Sequence, residues 1–105
     1  ATVVSGYFST FADSVLSIDH CVDNFAPGIS NIVEMPDMAA LIAPRPLFVE
    51  SGSEDPIFPR EAFERACERA REIYGSGLFG SHLFEGDHFF HGERAFEFLA
   101  KHLTP

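Results

Sequence analysis

The chain has 105 residues, 46% of them apolar and 22% charged, with twelve phenylalanines and a net charge of −9. That composition excludes a disordered polypeptide and bounds the molecule to one small domain, burying roughly 60–70% of the surface its unfolded form exposes. Residues 1–55 carry eight carboxylates against one base, Arg45, a surface that repels phosphate backbones, so nucleic acid is not an expected partner.

No apolar run approaches the ~20 residues that span a bilayer, and no secretory or lipidation motif is visible, so a membrane is not expected either. The two cysteines, Cys21 and Cys67, have no spacing that implies a bridge. They read as free, largely buried thiols in a reducing, cytoplasmic setting. A start at Ala1 that runs at once into an apolar strand pattern reads as a fragment or a processed product.

In chain order, "TVVS" (Thr2 to Ser5) is a β-branched run closed by Gly6 and predicts a buried strand. "STFADSVLSI" places Phe11, Val15 and Ile18 at helical spacing, with Ser9 or Thr10 as N-cap. "DHCVDNFAPGISNI" is rich in turn residues and predicts a long loop. Pro36 and Pro44 frame a short helix over residues 36–42. "LFVES" (Leu47 to Ser51) is the clearest strand, apolar on successive residues as burial on both faces requires.

The strongest helix is "PREAFERACERAREIYG", residues 60–74. Phe63, Ala66, Cys67, Ala70, Ile73 and Tyr74 form its apolar stripe, Glu61 and Arg65 pair on the other face, and Gly75 and Gly77 supply the stop. "SHLFE" (Ser81 to Glu85) predicts a third strand, and "GERAFEFLAKHL" a closing helix with Phe96, Leu99 and Leu103 inward. Strands alternating with helices imply an α/β architecture, a three-stranded parallel sheet with flanking helices. With three strands only, "TVVS" is expected at an open edge, where Val3 and Val4 offer a route to self-association.

In parallel sheets, reactive groups collect in loops beyond the carboxyl ends of strands. Two such loops carry chemistry here: "GSEDP", with Glu54 and Asp55, and "GDHFFH", with Asp87, His88 and His91. A carboxylate facing an imidazole across them would fix its tautomer and stabilise its protonated form. Two other readings stay open at this point: Asp87, His88 and His91 as metal ligands, although a zinc site usually needs three or four, and plain turn residues. His20 beside Cys21 reads as structured loop, His82 and His102 as structural or solvated. Phe89 and Phe90 are expected to pack under the histidine loop rather than bind substrate; for Phe8 and Phe11 the wall of a substrate pocket is the lesser of the readings left open.

The succession "LFVESGSEDPIFP", an amphipathic helix, "SHLFEGDHFFHG" and a closing helix resembles the C-terminal part of an α/β-hydrolase. It is most similar to the dienelactone-hydrolase and acetyl-xylan-esterase-like branch. "SGYFSTFADSVLSIDHCVDNFAPGI" and "DMAALIAPRPLFVESG" resemble the same branch's segments around the sixth strand and before the seventh. The resemblance implies a serine hydrolase acting on a small-molecule ester without a cofactor, with Asp55 as the triad acid and His88 as the base. Consecutive strand side chains point apart, so only one of Glu54 and Asp55 should face the histidine. Asp55, a turn aspartate before Pro56, is the expected one.

In that family the nucleophile precedes the acid and sits in a G-x-S-x-G elbow. None of the 105 residues forms one; Ser76 in "YGSGLFG" stands at the wrong offset. The chain is therefore expected to hold the acid and base of a triad and, by itself, not to hydrolyse esters. The competing expectation is a non-catalytic α/β module that works through its open sheet edge.

Overall fold

The computed structural model describes residues 1–75 and 77–103, so Ser76 lies outside the described residues. Three parallel strands, β1 (Thr2–Ser5), β2 (Leu47–Gly52) and β3 (Phe79–Phe84), form one sheet in the order β1-β2-β3. Every residue of β2 is buried, as its unbroken apolar pattern requires of a central strand covered on both faces. β1 is an edge strand whose residues are all half-buried.

Alternation along β2 sorts its side chains between two layers. Leu47 and Val49 pack with Phe63, Ala66, Cys67 and Ala70 of helix α2 (Arg60–Tyr74), joined by Ala39 of the short helix α1 (Met35–Ala39). Phe48 faces the other way, its ring 5.3 Å from Phe98 of helix α3 (Glu93–Leu103). Helix α2 ends on Gly75, whose φ of 64° is one that an L side chain adopts only under strain, and its N–H closes on Arg71 O.

Several sequence expectations are corrected. Residues 9–18 do not form a helix but a chain of turns. Their polar side chains compete for the backbone: Thr10 Oγ1 accepts from Asp13 N, Ser17 Oγ donates to Ala12 O, and Ser14 Oγ donates out to Ile57 O. The amides of Phe11 and Ala12 are met by the carboxylate of Glu34, which also caps α1 in a reciprocal box with Asp37.

The helix expected over 36–42 starts one residue earlier and stops at Ala39, continuing only as turns. Arg65 does not pair with Glu61; it reaches the turn segment and bonds Asp13 Oδ2 at 2.7 Å. The Thr10 hydroxyl and then this guanidinium hold the Asp13 carboxyl below its ordinary range.

The third strand begins at Phe79, two residues early. Gly80 makes this possible, because a Cβ there would meet the Phe48 ring at 2.7 Å. The inward face of α3 is rotated: Phe96 and Leu103 are exposed, Ala95 is fully buried, and Phe98, Leu99 and His102 share its side of the helix. Cys21 is exposed, and only Cys67 is buried.

Candidate acid–base site

The loops after β2 and β3 are stitched together by the backbone. Beyond the strand pairing, Ser53 N donates to Phe84 O at 2.8 Å and Glu54 N to Gly86 O at 2.9 Å. Gly52 permits this approach, since a Cβ at that position would lie 2.2 Å from Asp87 O. The stitching brings "SEDP" and "GDHF" side by side at one end of the sheet.

There the structure brings Asp55 and His88 together. Asp55 Oδ2 lies 2.8 Å from His88 Nδ1, while Oδ1 accepts from Ile57 N at 2.8 Å and Phe58 N at 3.0 Å. The carboxylate side chain is wholly buried, whereas the His88 side chain is 42% exposed. Glu54 is exposed and turned away. An ionised carboxylate only accepts, so Nδ1 carries the hydrogen and Nε2 keeps its lone pair, the arrangement a general base needs.

The ring is held from both sides. Phe58 stacks on it at 5.8 Å with planes 18° apart. Gly6, at the end of β1, passes so close that a Cβ would stand 3.0 Å from His88 Cε1, and its φ of 62° also favours glycine. Asp87 Oδ1 accepts the His88 backbone N–H at 2.7 Å.

The metal set Asp87, His88 and His91 does not converge: Asp87 bonds its neighbour's backbone, His88 faces Asp55, and His91 turns toward β2. Among the described residues the side chains that do converge are Glu50, His82 and His91, whose ligand atoms all lie within 4.8 Å of one another. Glu50 and His82 are direct partners in the parallel register of β2 and β3. Sequence reasoning missed this cluster. Its signal was a glutamate inside the apolar run "LFVES", because a buried carboxylate demands partners.

Sequence reasoning also missed a serine–imidazole contact. Ser14 Oγ lies 3.0 Å from His20 Nε2. The hydroxyl has one hydrogen, and Ile57 O takes it at 2.6 Å, so Ser14 accepts from His20 and ties the turn segment to the Asp55 loop. It is not an activated nucleophile.

Phe8 and Phe11 are buried in an apolar cleft of about 520 Å³, lined also by Val4, Met35, Ile42 and Leu47. Tyr7 lines the same cleft, and its ring is 5.1 Å from Phe58, the ring beneath His88. Phe89 and Phe90 lie against the glycines of their own loop, where a Cβ at Gly86 would meet the Phe89 ring at 2.7 Å and one at Gly92 the Phe90 ring at 2.8 Å. Both are about half exposed, Phe89 against Phe84 and Phe90 against Phe96.

No helix among the described residues is long and apolar enough to cross a membrane. A scan against known protein families and a search of characterised proteins found no match to this chain.

Proposed function

We propose that this chain is the C-terminal segment of an α/β-hydrolase of esterase type, in the dienelactone-hydrolase and acetyl-xylan-esterase-like branch, and that it supplies the acid and histidine of a Ser-His-Asp triad. The observation that carries this reading is the 2.8 Å contact between Asp55 and His88, made by loops leaving adjacent parallel strands at the same end. In the proposed reaction a serine hydroxyl, supplied by polypeptide outside these 105 residues, lies at His88 Nε2. Nε2 takes the hydroxyl proton as Oγ attacks the ester carbonyl and returns it to the departing alcohol; water then releases the acyl group by the same proton relay. Asp55 keeps the ring in the required tautomer and stabilises the imidazolium. Side chains and backbone amides suffice for this chemistry, so it calls for no cofactor. The same reading sets the protein in the cytoplasm, where Cys21 and Cys67 remain free thiols.

The test uses the chain joined to the polypeptide that precedes Ala1 in its reading frame. Labelling by a fluorophosphonate probe and turnover of p-nitrophenyl acetate are expected, both lost in His88→Ala, with no His88-dependent turnover from the 105 residues alone. A preceding sequence without a G-x-S-x-G elbow, or labelling that survives His88→Ala, overturns the reading.

A second reading rests on a different observation. Among the described residues β1 bonds to β2 on one side only, and an open edge at Val3 and Val4 can accept a strand from another copy. Light scattering across a concentration series decides it: dimerisation abolished by Val3→Pro favours an interaction module, and a concentration-independent monomer removes that reading.

A further inference from the structure

Glu50, His82 and His91 belong to three different parts of the fold, and none is used by the Asp55–His88 pair. Glu50 is wholly buried on the α3 side of β2. Its Oε1 is saturated, accepting from Ser5 Oγ at 2.8 Å, His91 N at 2.9 Å and Gly92 N at 3.2 Å. Oε2 takes only a share of the Gly92 N–H, at 3.2 Å, and among the described residues no Arg forms an ion pair with this carboxylate. A second lone pair on Oε2 is therefore available inside the protein.

The imidazoles complete the picture. His82 and His91 stand edge to face with centroids 5.3 Å apart, and His91 is stacked on Phe84 at 4.7 Å. The Nδ1 atoms of both rings are buried and have no hydrogen-bond partner. Two orphaned imidazole nitrogens beside a buried carboxylate are costly unless something coordinates them.

We propose that Glu50, His82 and His91 bind a divalent transition-metal ion of the zinc class. Two nitrogens and one oxygen suit zinc and its neighbours, whereas calcium and magnesium call for oxygen shells. Three protein ligands leave one position for water. The bound ion ties β2 and β3 to the loop that carries His88, three residues before His91. The site goes beyond the hydrolase reading and does not depend on it.

The experiment titrates the EDTA-treated 105-residue chain with Zn²⁺ against a competing chromophoric chelator. One equivalent is expected, with affinity at least about tenfold weaker in His82→Ala and in His91→Ala, because even outer-shell changes cost that much. Asp87→Asn should leave affinity unchanged, which separates this site from one built on Asp87 and His88. A second measurement needs no variant: in the ¹⁵N-labelled chain Zn²⁺ should move the Nδ1 resonances of His82 and His91 and leave those of His20 and His102 in place. No bound zinc, zinc bound equally by both histidine variants, or histidine resonances that stay put on saturation would each overturn the site.

Discussion

His88 and His91 lie three residues apart in one loop, yet the fold uses them in opposite ways. A buried carboxylate from the far end of β2 meets each. Asp55 bonds the ring of His88 and leaves Nε2 outward-facing; Glu50 bonds the backbone N–H of His91 and of Gly92, and the His91 ring turns inward. A carboxylate on an imidazole nitrogen sets acid–base chemistry. A carboxylate on backbone amides sets the path of the chain, here the entry into α3, where negative charge is also favoured by the helix dipole. Within six residues of sequence, one carboxylate thus meets an imidazole nitrogen and the other meets the backbone.

The largest expected effect breaks the first half of that contrast. On the hydrolase reading proposed above, Asp55→Asn in the chain joined to its nucleophile-bearing part should lower the hydrolytic rate by about 10⁴-fold, the cost of losing the imidazole tautomer. Its thermal midpoint should hardly move, because the asparagine oxygen can still accept from Ile57 and Phe58 amides. A stability collapse without a rate effect would make Asp55 a turn residue. Glu50→Ala should do the reverse. It strands the Ser5 hydroxyl and the amides of His91 and Gly92, each worth ~1–3 kcal/mol, so urea unfolding should report a loss of at least about 3 kcal/mol.

A sharper probe acts on neither carboxylate. Gly52→Ala would drive a Cβ into the carbonyls of Gly86 and Asp87, prising apart the loops that hold Asp55 against His88. Overpacking of this kind costs about 1–3 kcal/mol. The accompanying readout is the low-field proton on His88 Nδ1, expected in the parent and weakened or lost in the variant. Persistence of that proton would mean that the pair is held by Phe58 and Gly6 rather than by loop stitching.

Much of this was legible in the sequence, for identifiable reasons. β2 announced itself by consecutive apolar residues, α2 by its stripe and Gly75, and both loops by lying beyond strand ends. Topology brought the two loops together, and the resemblance then singled out Asp55 and His88 within them. The turn segment at 9–18 was misread because its helical spacing is real but local: Ser17 Oγ donates to the Ala12 carbonyl that Leu16 N would use in a helix, and Leu16 N bonds Phe11 O instead. The face of α3 was misjudged for a similar reason. Its start is fixed by Glu50 gripping Gly92, and pattern alone does not reveal that phase. The Glu50–His82–His91 cluster depends on strand register, which a single sequence does not disclose.

The smallest effect tests whether burial divides the two cysteines as it divides the two histidines. Burial pushes the Cys67 thiol up to about 12, while Cys21 stands exposed. In the folded chain Cys67 stays protonated; once unfolded it releases its proton above the ordinary cysteine value of ~8.5. The unfolded state then binds fewer protons than the folded one, so stability is fully present below ~8.5 and declines as pH rises toward the folded value. The loss should be on the order of 1 kcal/mol by pH ~9.5. Tyr7 and Tyr74, also raised by burial, titrate with the same sign, so the measured quantity is the difference in pH slope between the parent and Cys67→Ala. At neutral pH a disulfide reagent should react with one thiol in the native chain and two in urea. Rapid reaction of both in the native state, or equal pH slopes, would show that α2 does not seal Cys67 against the sheet.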